Sequence, residues 1–246
     1  MIRGCLCVLL MFLSLGARAQ DYEREARWAR EIVPGVVVGD AVWLPGPGSR
    51  PFLGLLAESA HPKALVLLVH GIGVHPDHGV IGALRAALAD QGYTTLSIQM
   101  PVLDAAAPPS AYRELFPNAI ERIRAAATWL RGKDAAPIVL VSHSLGSAMA
   151  GAFYEQTADA PFSSWVCMGL SGAYGSMRNV KVPILDVYGE NDLPSVLRGD
   201  WRRRITVDSI PGSRQLKVSR ADHFYSGREQ ALAGEIDSFL DARLRK

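Results

Sequence analysis

The chain has 246 residues, 49% hydrophobic and 20% charged, with a formal net charge of +2. That length holds one large domain, and the balance of apolar and charged residues excludes a disordered chain. A charge so close to neutral gives no electrostatic case for nucleic acid or an anionic membrane surface as partner.

The chain starts with Met1-Ile2-Arg3, runs through an apolar stretch over residues 5–15, and reaches Ala17-Arg18-Ala19. A membrane-spanning helix needs about 20 apolar residues. This run is shorter, and small residues sit where a signal peptidase reads. We therefore expect residues 1–19 to be a signal peptide cleaved after Ala19. The mature protein would be exported, periplasmic or secreted, with no stable membrane insertion. Cleavage removes Arg3 and Arg18 and no acid, so the +2 falls to 0. It also removes Cys5 and Cys7, leaving Cys167 with no partner for an internal disulfide. Cys167, within "WVCMGL", reads as a buried apolar residue.

Residues 21–32 are charged with interspersed Ala26, Trp28, Ala29 and Ile32, which predicts an amphipathic helix ended by Pro34-Gly35. The segment 20–35 is thus an N-terminal helical piece, and one domain follows over 36–246. Residues 36–44 read as a strand kinked at Gly39, "PGPGSR" as a turn, and 52–56 as the partner strand of a hairpin. "ALVLLVHG" is a continuous apolar run closed by glycine, suited to a strand buried on both faces. A helix over 81–91, a strand over 94–98 and a helix over 112–130 follow. The strand "PIVLV" runs into a helix over 145–156. "SWVCMGL", "VPILDVYG" and 215–218 are strands, and 228–244 closes as a helix. Strands alternating with helices predict an α/β fold: a mostly parallel sheet of about eight strands, an antiparallel N-terminal hairpin, and helices on both faces.

In an open parallel sheet, chemistry gathers beyond the carboxyl ends of the strands. The residues there are His70-Gly71-Ile72-Gly73, Ser142-His143-Ser144-Leu145-Gly146, Glu190-Asn191-Asp192, and the stretch 219–224 with Asp222 and His223. A serine nucleophile needs a base, and the base needs a carboxylate to fix its tautomer. Here they occur in the order Ser144, Asp192, His223, with Glu190 as the alternative acid. Asp186 lies too early in its strand to reach the loop tip, and Asp222 adjoins the histidine too closely. His143 reads as packing beside the serine.

These motifs resemble the α/β-hydrolase superfamily. The G-x-S-x-G elbow is matched as Ser142-His143-Ser144-Leu145-Gly146, with serine in place of the first glycine. "LLVHGIG" is similar to the superfamily's oxyanion loop, "VYGENDLP" to its acid loop, and "ADHFY" to its histidine loop. The stretch 70–103 further resembles a poorly characterised family of exported bacterial hydrolase-like proteins. The resemblance implies that Ser144 attacks, that His223 acts as base and then acid, and that Asp192 orients His223. It implies oxyanion donors at Leu145 and in the loop of Gly71 and Ile72. It implies a small-molecule ester as substrate and no cofactor or metal. The short connection 171–181 leaves no room for a lid domain.

Other readings stand beside these. A thioesterase or peptidase would use the same triad, and a non-catalytic envelope or binding module would keep the fold alone. Ser171 in "GLSGAYG" mimics an elbow but has no following helix, and reads as turn or pocket wall. His70, His75, Asp77 and His78 suggest zinc, yet lack a helical H-x-x-x-H pair. Gly71 and Gly73 are not followed by G-K-[ST], so they are no phosphate loop. The segment 100–112 is either a pocket wall or a plain crossover.

Overall fold

The computed structural model describes residues 20–244. The expected export signal, residues 1–19, lies outside them. Among the described residues no helix is long and apolar enough to cross a membrane.

Helix α1 (Tyr22–Ile32) leads into the hairpin β1 (Asp40–Leu44) and β2 (Phe52–Ala57). Then come β3 (Leu65–Val69), α2 (Gly79–Asp90), β4 (Thr94–Ile98), α3 (Phe116–Arg131), β5 (Ile138–His143), α4 (Leu145–Gln156) and β6 (Ser164–Met168). The chain ends with β7 (Ile184–Asn191), the short helices α5 (Pro194–Leu197) and α6 (Asp200–Asp208), β8 (Arg214–Asp222) and α7 (Glu229–Leu244). The eight strands form one sheet in the order β1-β2-β4-β3-β5-β6-β7-β8. β1–β2 and β2–β4 pair antiparallel, and every other pair is parallel. The connection from β6 to β7 carries no lid domain.

Alternation along the strands divides the core. Leu65, Leu67, Val69 and Leu140 face one side, where they pack with Ile120 and Ile123 of α3 and Phe153 of α4. Val66, Leu68, Val139 and Val141 face the other, against Leu84 of α2 and Ile236 and Phe239 of α7. Both faces are covered, which is why the central strands read as unbroken apolar runs. Cys167 is buried in β6, and burial pushes its thiol up to about 12.

Two expectations are corrected, and two helices are added. The first strand begins at Asp40, not at residue 36. A turn of 3-10 helix over Val33–Gly35 extends α1, Val36 packs beside Ala29, and Val37 is exposed. Gly39 then turns the chain with φ +73, so close to the partner strand that a Cβ would stand 1.9 Å from the Leu56 carbonyl oxygen. The helix expected over 112–130 starts as a 3-10 segment, Pro109–Leu115, and becomes α-helical at Phe116. Helices α5 and α6 lie in a polar stretch whose apolar residues are too few to signal them.

Candidate active site

The strand ends assemble the site. At the end of β5 the chain turns sharply: Ser144 has φ 56 and ψ −120, a strained conformation for a residue with a Cβ. Such a corner needs room. A Cβ on Gly146 would stand 2.4 Å from the His70 carbonyl oxygen, so glycine is required there. At the first elbow position Ser142 is fully buried, and its hydroxyl accepts the Trp165 indole N–H at 2.9 Å and meets Ser147 Oγ at 3.1 Å. The departure from glycine thus places a hydrogen-bonded side chain under the elbow.

His223 follows β8 directly. Its Nε2 lies 2.9 Å from Ser144 Oγ and its Nδ1 2.6 Å from Asp192 Oδ1. Donation of Nδ1–H to Asp192 leaves the Nε2 lone pair free to accept the serine hydroxyl. Asp192 follows β7, where the pairing with β8 is irregular between Gly189 and Asn191. Burial pushes its carboxyl up, but hydrogen bonds from His223, Gly189 N–H at 3.0 Å and Leu193 N–H at 2.7 Å outweigh this and hold it below the usual carboxylate range. Glu190, the alternative acid, does not face the histidine. It is exposed, and its Oε2 accepts from Arg220 N–H at 2.8 Å and Ser219 Oγ at 3.3 Å. Asp222 accepts from the backbone of Phe224 and Ser226 and so shapes the histidine loop. Asp186 is buried under the loop with Arg203, Tyr174 and Gln215. His143 donates Nε2–H to the His223 carbonyl at 2.9 Å and packs 4.9 Å from its ring.

The oxyanion candidates lie beside this chain of bonds. Leu145 is the first residue of α4, where a helix leaves N–H groups without intrahelical acceptors. Gly71 approaches so closely that a Cβ would stand 3.2 Å from Ser144 Cβ. His70 behind it donates Nδ1–H to the Gly71 carbonyl at 2.9 Å and accepts Met100 N–H on Nε2 at 2.9 Å. Burial lowers its pKa to about 3, and that of His143 to about 4, so both rings are neutral near pH 7.

Ser144 opens on a cleft of about 190 Å³ walled by Val74, Val80 and Ile81. Ile72, Leu193 and Phe224 rim it, exposed by 37%, 44% and 60%. A second, more polar groove of about 610 Å³ borders Leu145 and is lined by Pro109, Ser110, Arg113, Ser171 and Tyr174. The segment after β4 and Ser171 therefore wall this groove, not the cleft. His75 and His78 meet edge to face, their ring centroids 5.4 Å apart. Among the described residues no group of three metal-ligating side chains is found.

Sequence reading missed Gly169. Its φ is +59, and a Cβ there would stand 2.9 Å from His223 Cε1, so the glycine makes room for the imidazole. The available signal was its place directly after β6, as Gly71 closes the run of β3. The aliphatic first turn of α2, Val80 and Ile81, was also missed as cleft wall.

A family described as protein of unknown function (DUF3530) matches residues 39–119. No curated protein matches the chain in sequence. Solved structures do match. Est1E from Butyrivibrio proteoclasticus is 13% identical with a TM-score of 0.66, over 84% of this chain and 99% of that one. An α/β serine hydrolase without a lid from Xanthomonas campestris is 16% identical with a TM-score of 0.65, over 84% and 95%. An esterase of Pyrococcus furiosus is 12% identical with a TM-score of 0.62, over 83% and 92%. Strand order, elbow and these likenesses agree: the chain has the α/β-hydrolase fold, in its lidless form.

Proposed function

We propose that the protein is an exported serine hydrolase that cleaves carboxylic esters through an acyl-enzyme. The observation that carries this reading is the continuous hydrogen-bonded path from Ser144 Oγ through His223 to Asp192, set on a strained elbow. In this reading Ser144 Oγ attacks the ester carbonyl carbon while His223 Nε2 takes its proton. The oxyanion is held by the Leu145 N–H and an N–H of the loop of Gly71 and Ile72. His223 then gives the proton to the departing alkoxide, and an alcohol leaves. Water attacks the acyl-enzyme with His223 again as base, releasing the acid and restoring Ser144. Asp192 keeps His223 in the working tautomer throughout.

The cleft bears on the substrate. Its wall is aliphatic, and His70 and His143 at its base are neutral near pH 7. An uncharged, apolar group suits it better than an ionised one, since a charge there would lose its hydration unpaired. Export rests on the positive start, short apolar run and Ala17-Arg18-Ala19 of the sequence.

A fluorophosphonate probe tests the reaction class: Ser144 is the expected site of labelling, and Ser144→Ala should abolish it. A folded wild-type protein that resists labelling would favour the binding-module reading. Acyl esters of graded chain length, with thioesters and amides beside them, would then rank the substrates.

A further inference from the structure

Hydrogen bonds that the proposed reaction does not use join α1 to the lip of the cleft. Arg24 forks between two loops, its Nη1 donating to the Leu103 carbonyl at 2.7 Å and its Nη2 to the Gly73 carbonyl at 3.0 Å. The guanidinium also lies 4.5 Å over the Trp28 ring, and Trp28 meets His75 edge-on at 5.8 Å. The helix itself is pinned by other groups. Asp21 N–H donates to the Val102 carbonyl at 2.8 Å, and the buried Glu25 carboxylate takes Arg122 Nη2 at 2.8 Å and Gln20 Nε2 at 2.6 Å.

The loop from Gly71 to Val74 belongs to no ladder or helix, so side chains must fix its backbone. His70 holds the Gly71 carbonyl at one end; toward the other, Arg24 holds the Gly73 carbonyl at 3.0 Å and Gln99 Nε2 donates to the Val74 carbonyl at a longer 3.3 Å. The Ile72 amide lies between them. In a trans peptide the C=O and the following N–H point in opposite directions. A Gly71 carbonyl turned in toward His70 therefore turns the Ile72 N–H the other way. Gly73 has φ +65, a conformation that glycine adopts freely and therefore does not hold by itself.

We infer that Arg24 is a positioning residue: from a helix outside the sheet's own crossovers it fixes the loop that supplies an oxyanion donor. This rests on Ser144 being the nucleophile. An oxyanion donor acts mainly in the transition state, so a loosened loop lowers kcat more than it changes KM.

The test compares Arg24→Met, Arg24→Lys and Ala29→Gly. Arg24→Met should lower kcat by about 10- to 100-fold, the cost of misplacing a catalytic group by about 1 Å. KM should stay within about threefold of wild type. Arg24→Lys should restore part of the rate, since an ammonium can donate to these carbonyls but lacks the fork. Ala29 lies buried on α1 away from the loop, so Ala29→Gly should lower the melting temperature and leave kcat unchanged. Hydrogen exchange over residues 70–79 should quicken in Arg24→Met while that of 138–143 does not. An Arg24→Met enzyme with wild-type kcat, or an equal loss of kcat in Ala29→Gly, would overturn the inference. So would unchanged exchange over 70–79, a readout that needs no turnover. Absence of labelling at Ser144 in the wild type would instead remove the hydrolase reading.

Discussion

The two halves of the site are built from different materials. The proposed acid–base half, Asp192 and His223, consists of side chains at the ends of β7 and β8. The proposed oxyanion half, Leu145 and the loop of Gly71 and Ile72, consists of backbone amides, and the ring behind it is held neutral by burial. Each half is backed by a buried arginine–carboxylate pair. Under the acid loop, Arg203 Nε reaches Asp186 at 3.0 and 3.1 Å, and its Nη1 reaches the Leu170, Gly172 and Val196 carbonyls; neither partner's side chain is exposed. Beneath the oxyanion loop, Arg122 joins Glu25 at 2.8 Å, and Glu25 keeps 9% of its side chain exposed. The acid–base half thus carries charge and is locked from below. The oxyanion half is made of neutral groups and, besides the pair beneath it, is held by Arg24 of α1. A guanidinium serves both places because one head can bond a carboxylate and a carbonyl at once.

Breaking the acid–base half, or the serine it serves, should cost most. Ser144→Ala should lower kcat by at least about 10⁴-fold and Asp192→Asn by about 10⁴-fold, while Glu190→Gln stays within about threefold. Ester hydrolysis by the purified variants checks this. A crippled Glu190→Gln beside a mild Asp192→Asn would reverse the acid assignment.

The two supports should separate next, in denaturant unfolding. Arg203→Met leaves Asp186 buried without its counter-charge and should cost about 3–5 kcal/mol. Arg122→Met should cost less: each carboxylate keeps two other hydrogen bonds, but Glu25 also keeps 9% of its side chain in solvent where Asp186 keeps none, and Arg122 leaves one carbonyl, that of Gln99, where Arg203 leaves three. Equal losses would mean that the two pairs are equivalent.

Protons distinguish the halves further. His70 and His143 titrate at about 3 and about 4 in the folded chain, against about 6.5 when unfolded. Between those values the unfolded state binds more protons, so stability should fall as pH drops below about 6.5 and keep falling toward about 3. Burial raises the Glu25 and Asp186 carboxyls, which take up protons earlier when folded and offset part of that loss. Unfolding midpoints in a pH series would reveal the slope. In activity, His70 and His143, both neutral near pH 7, should add no step of their own to the pH profile of kcat/KM there.

The smallest effect is chemical. If export leaves Gln20 first, cyclisation would expel its Nε2 as ammonia and remove the donor that meets Glu25 at 2.6 Å. The folded protein should therefore keep an open Gln20, and mass spectrometry should find no loss of ammonia.

Some features were fixed by local chemistry. Buried strands need apolar runs and tight corners need small residues, so most strands, the elbow at Ser144 and the loops of Asp192 and His223 could be read from composition and order alone. The choice between Asp192 and Glu190 could not, since both sit in one loop and only the irregular β7–β8 pairing decides which carboxylate turns inward. Three valines at 36–38 suit a strand as well as a connector, and the turn at Gly39 against Leu56 decides for the connector. Arg203 is one arginine of three in "WRRR", and Arg24 one of three in α1. Nothing local distinguishes a solvated arginine from one that fixes a loop 49 residues away, such as the Gly73 turn. Hydrophobic period and turn chemistry act over a few residues and leave a trace in the sequence. Hydrogen bonds to distant backbone carbonyls leave none, because every residue type offers the same carbonyl, and only the folded chain selects which one is met.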